Sequence, residues 1–163
     1  MRIIFTVIFC IALGLSSVVL PQDSTGHSKA FTTVSIGEIF LTDSSFGATG
    51  FDIASDAHLV QVALYFPLTD NIWLGPTITQ SFGNSDSLKH SSYGVIFAFN
   101  FAPNFDFIFN PAYAVKMHNF ESWLNATIAL RRWFASGKWF VQAGASSIDG
   151  NLALRSDIGV RIK

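Results

Sequence analysis

The chain has 163 residues, carries ten Lys or Arg against eleven Asp or Glu, and is 50% hydrophobic, 15% aromatic and 13% charged. A near-neutral balance without a basic block excludes a nucleic-acid-binding surface, and the charged fraction is well under the roughly 25% of ordinary soluble domains. Beyond residue 20 no apolar run approaches the roughly 20 residues that a membrane-spanning helix needs, so the hydrophobicity must be spread over shorter elements.

The first segment stands apart. Met1 and Arg2 precede IIFTVIFCIALGLSSVVL, a short positive region followed by an apolar run with Gly14, Ser16 and Ser17 near its end. It reads as a secretory signal peptide cleaved after Ser16 or Ser17, and residues 1–22 are assigned to the signal and a short leader. Cys10 is the single cysteine and lies inside this run, so the mature chain has no thiol for disulfides or metal ligation.

Residues 23–163 read as one all-β domain. After a polar leader the first strand is expected at Phe31–Leu41, followed by a Ser/Gly/Asp-rich connection from Thr42 to Asp56. The second and third strands, Ala57–Phe66 and Ile72–Phe82, form the clearest hairpin, with alternation of period two on both sides of a Pro67–Asn71 turn. Further strands follow at Ser92–Ala102, Phe105–Met117, Ser122–Phe134, Lys138–Ser147 and Leu152–Lys163, separated by Gly, Asn, Asp and Pro turns. Tight turns after the second, fourth and sixth strands alternate with longer or more polar connections after the first, third and fifth. Such a meander matches an eight-stranded, antiparallel, up-and-down transmembrane β-barrel with short turns at one end.

Alternation alone does not say which face meets water. The fourth strand sets Tyr93, Val95, Phe97, Phe99 and Phe101 against Gly94, Ala98 and Asn100, and five such bulky residues would overfill a narrow lumen. Facing lipid they fit. Large aromatics gather beside the tight turns, and Tyr65, Trp73, Phe101, Phe107, Trp133 and Trp139 are expected to form an interfacial girdle.

The opposite faces collect polar residues. Lys116, Arg131, Arg155, Asp157 and Arg161 are expected in a lumenal network that plugs the barrel through ion pairs and hydrogen bonds. Glu38 breaks the alternation of the first strand, and a bulge at Gly37 would return it to that network. A narrow pore is the functional alternative, its net positive lining favouring anions. Weak catalytic candidates are His90 with Ser92, and His118 near Glu121; a hydrolytic site would need base, nucleophile and acid within hydrogen-bonding reach. No cofactor is expected, and His27 and His58 have no metal-ligand spacing. Pro76 and Pro111 fall inside strands, where each removes a ladder donor.

The signal segment, the YFPLTDNIWLG turn from Tyr65 and the terminal alternation LALRSDIGVRIK from Leu152 resemble the small eight-stranded outer-membrane barrels of Gram-negative bacteria, the OmpA-, OmpX- and OmpW-like group. Members usually close on an aromatic residue; this chain closes on Ile162 and Lys163. The resemblance implies a bacterial outer-membrane location and, as partners, the lipid bilayer and lipopolysaccharide, with the barrel acting as a monomer. The role it implies is structural, surface-interacting or narrowly porous. A lipid-A acyl hydrolase is the first alternative, and a secreted soluble barrel around a small apolar ligand is the second.

Overall fold

The computed structural model describes residues 30–41, 56–83, 88–116 and 120–162. The expected signal segment, most of the first connection, and His118 lie outside these residues. Eight strands follow in chain order: β1 (Phe31–Leu41), β2 (Ala57–Thr69), β3 (Ile72–Gly83), β4 (His90–Ala102), β5 (Phe105–Lys116), β6 (Ser122–Phe134), β7 (Trp139–Ile148) and β8 (Asn151–Ile162). Each pairs antiparallel with its sequence neighbour, and β8 returns to β1, closing the barrel. Closure removes both sheet edges, which is the condition for placing strands in hydrocarbon.

Turn chemistry sets the two ends. β2–β3, β4–β5 and β6–β7 are joined at one end, where Asn104 (φ 66°) and the run Ala135, Ser136 and Gly137 (φ 47°, 57° and 77°) adopt left-handed backbone. Thr32 pairs with Ile162 at the same end, so the first and last strands begin and finish there. At the opposite end Asp149 and Gly150, with φ of 50° and 79°, join β7 to β8 as a tight hairpin. Two strands run more than one residue beyond what their sequence pattern implies. β2 continues to Thr69 through a register irregularity between Pro67 and Thr69, and β4 begins at His90.

The period of two holds around the whole barrel. In β2, Ala57, Leu59, Gln61, Ala63 and Tyr65 are buried while His58, Val60, Val62, Leu64 and Phe66 are exposed. In β4 the exposed set is Tyr93, Val95, Phe97, Phe99 and Phe101, the face expected to meet lipid. The proline in β5 leaves a local mark: β4–β5 pairs run to Gly94–Ala112 and resume at Phe97–Phe109, leaving out the stretch opposite Pro111. A missing N–H explains that gap.

Two apolar clusters close the lumen. At the tight-turn end Phe31, Tyr65, Ile96, Ile108, Trp133 and Phe140 pack together, with Trp73 against them. Near the other end Ile39, Leu59, Ile148 and Leu88 form the second cluster. Leu88 comes from the β3–β4 connection, and its carbonyl accepts the Ser81 hydroxyl at 2.7 Å.

Candidate functional site

Between the two clusters lies a belt of hydrogen-bonded polar side chains. Gln61 Nε2 donates to Thr77 and Thr79, each at 3.1 Å. Its Oε1 accepts Arg155 Nη2 at 2.9 Å, and Arg155 Nε donates to both Asp157 oxygens, at 3.1 and 2.8 Å. Gln142 Nε2 donates to Asp157 Oδ2 at 3.1 Å, and its Oε1 accepts Arg131 Nε and Nη2 at 3.1 and 2.9 Å. Arg131 Nη2 then reaches Tyr65 Oη at 2.7 Å, returning the chain of bonds to β2. Arg131, Arg155 and Asp157 are all buried. The glutamines alternate with the charges, so that one carboxylate and two guanidiniums are joined through shared amides. Gly37 makes room for Asp157, since a Cβ there would lie 2.3 Å from its Oδ1.

Glu38 is not part of this network. The β1 ladder runs without a shift through Gly37 and Glu38, pairing Glu38 with His58 on one side and Ser156 on the other. Without the expected bulge the period of two leaves Glu38 on the outer face, 43% exposed, with its carboxylate 4.0 Å from His58 Nδ1. The measurable consequence is that Glu38→Leu changes stability by less than about 1 kcal/mol in urea unfolding of the folded barrel. A lumenal Glu38 bonded to arginine would lose several times that.

The aromatic girdle also divides. Phe101, Phe107 and Trp139 point outward. Tyr65 and Trp133 are instead buried in the lumen, and Trp73 packs against the same cluster. The cause is parity: Tyr65 shares its face with Gln61, and Trp133 with Arg131, so nearness to a turn does not decide direction. Asp106 is an inward residue that the sequence reading missed. It is buried, accepts Trp133 Nε1 at 2.6 Å and Asn100 Nδ2 at 3.1 Å, and shares the parity of Asn110, which was the available signal. Lys116 sits at the far rim, where Glu121 accepts its ammonium at 2.7 Å. Arg161 lies at the tight-turn mouth, its guanidinium stacked 3.7 Å from the Phe31 ring centroid.

His90 and Ser92 both face inward and are buried. The His90 ring stands edge-on to Trp123 at 5.2 Å, and Ser92 Oγ accepts Asn125 Nδ2 at 3.3 Å. Both line a cavity of about 20 Å³ together with Thr79, Asn110, Thr127, Ser146 and Arg155, room for about one water. No acid is among its lining residues, and a membrane lipid cannot reach a serine held inside a closed wall. Among the described residues no cluster of His, Cys, Asp and Glu has the makings of a metal site.

An apolar exterior around a polar, closed lumen defines the transmembrane β-barrel class of fold. Solved structures it resembles include a de novo designed transmembrane β-barrel, at 8% identity and TM-score 0.56 over 85% of this chain and 100% of that one. The Yersinia pestis attachment invasion locus protein Ail matches at 9% identity and TM-score 0.51, over 84% of this chain and 100% of that one. Neisserial surface protein A matches at 10% identity and TM-score 0.52, over 85% and 99%. No protein-family model matches the chain, and no curated protein matches it in sequence. At these identities the likeness is one of fold.

Proposed function

We propose that this chain is an integral barrel of the bacterial outer membrane, exported by its N-terminal segment, with a plugged lumen and a surface-interaction role carried by the connections at the end opposite the tight turns. The observation that carries this reading is the inversion of polarity: Arg131, Asp157 and Gln142 are buried inside, while Ile78, Phe97, Ile128 and Leu154 are exposed outside. A soluble carrier of an apolar ligand requires the reverse arrangement. Outer-membrane neighbours in fold support the location, and two of them, Ail and neisserial surface protein A, are named for attachment or surface exposure. The reading places the chain as a monomer in a bilayer that contains lipopolysaccharide.

The belt of hydrogen bonds and the aromatic cluster beneath it support a plug over a pore. Folded protein in planar bilayers is therefore expected to give no stepwise ion conductance, and regular single-channel steps would reject the plug. The location is tested by fractionation: recovery in the outer membrane, with a compact gel band that shifts only on boiling, supports it, whereas recovery in the aqueous phase without detergent refutes it. The hydrolase alternative needs a catalytic serine facing lipid. His90→Ala combined with Ser92→Ala is expected to leave lipid A acyl composition unchanged.

A further inference from the structure

The tight-turn end of the lumen carries an unbalanced charge. Among the described residues its inward-facing charged groups are Arg131, Arg161 and Asp106, two cations against one anion, since Arg155 and Asp157 pair with each other in the belt above. Asp106 spends its oxygens on Trp133 Nε1 and Asn100 Nδ2, and its single charge leaves one of the two cations unbalanced. The guanidiniums share one aromatic box: Arg131 Cζ lies 4.3 Å from the Phe140 centroid, Arg161 Cζ lies 3.7 Å from that of Phe31, and both lie 5.4 Å from Trp133.

Each guanidinium also has a buried nitrogen without a protein acceptor, Nη1 of Arg131 and Nε of Arg161. Arg131 itself is 1% exposed. Ring faces attract cations but accept no N–H hydrogen bond of full strength, and a buried N–H without an acceptor is costly. One negative charge would balance the box, and its lone pairs would serve both nitrogens. A guanidinium is suited to such an anion because its donors are fixed in a plane.

We infer that this box is a binding site for one small anion taken from the tight-turn side, held by Arg131 Nη1 and Arg161 Nε and screened from bulk water by Phe31, Tyr65 and Trp133. Chloride and phosphate fit this chemistry, the latter either free or as the headgroup of a lipid at the barrel mouth. The site adds a ligand-dependent element to an otherwise self-contained plug.

The test uses the full chain, folded in maltoside detergent, with chloride replacing gluconate at constant ionic strength. The melting temperature of wild type should rise by about 5 °C and grow with the logarithm of chloride concentration, as for a ligand that binds only the folded state. Arg161→Gln should remove that rise while keeping the heat-sensitive compact band that reports folding. Because Arg161 is at the mouth, this variant disturbs the central network least. Saturable quenching of tryptophan fluorescence by iodide, present in wild type and lost in Arg161→Gln, gives a second readout beside Trp133. Repeating the titration in phosphocholine detergent separates the sources: an unchanged chloride response assigns the site to a free ion, and a melting temperature already raised and no longer moved by chloride assigns it to a headgroup phosphate. No chloride response in either detergent, with the phosphocholine melting temperature equal to the chloride-free maltoside value, overturns the inference. So does a response of equal size in Arg161→Gln.

Discussion

Asp157→Leu is expected to lower the unfolding free energy of the barrel by about 3–5 kcal/mol, the range for breaking one side of a buried ion pair. The substitution strands the Arg155 guanidinium, whose Nε donates to both Asp157 oxygens, and takes the acceptor from Gln142 Nε2. Arg155 is itself buried and has only Gln61 left as a partner among these bonds. The double variant Arg155→Met with Asp157→Leu should regain most of the loss, because an apolar pair of similar volume carries no stranded charge. Urea unfolding followed by tryptophan fluorescence, with the heat-dependent gel shift as the folding control, measures both. Equal stability of the single and double variants would show that Arg155 finds another partner and that the belt is not one connected unit.

The second large effect lies on the opposite face. Ile128 sits midway along β6 and is 51% exposed. In water an isoleucine so exposed can become arginine at a cost within about 0.5 kcal/mol. On the lipid face of a barrel near the bilayer midplane the same change costs about 2–4 kcal/mol. Ile128→Arg folded into lipid vesicles is therefore expected to unfold at clearly lower urea than wild type. A variant as stable as wild type in vesicles would remove the assignment of this face to hydrocarbon. Ile128→Val in parallel separates the charge from the loss of volume.

The strands were legible because period two leaves little freedom in a closed wall. Both bounds of β1 and β6 follow from the alternation, and the outward set of β4 was evident from its aromatics. Legibility ended where direction depended on counting through a turn. Nearness to turns groups Tyr65 and Trp133 with Phe101 and Trp139, although parity with Gln61 and Arg131 sends them inward. Glu38 shows the converse: a bulge at Gly37 would bring it to the lumenal arginines, yet the ladder through Gly37 stays regular and leaves the carboxylate outside beside His58. The pairing of Arg131 with Tyr65 joins strands that are distant in sequence, and only the circuit of registers around the barrel brings them together. Asp106 is hidden between Phe105 and Phe107, and only its shared parity with Asn110 marks it as inward.

The seam between β1 and β8 has a kinetic consequence. Thr32 pairs with Ile162, so the last ladder forms only once nearly the entire described chain is available. The Gln61–Arg155 bond spans 94 positions and depends on that closure. Hairpins such as β2–β3 can form early, yet their oily faces and unpaired edges stay open until the circle is complete. Folding should thus be slow and cooperative, with the polar belt locking late as β8 docks. An unfinished barrel would expose both a sticky exterior and unneutralised arginines, so the interval before closure is when this chain most needs protection from aggregation.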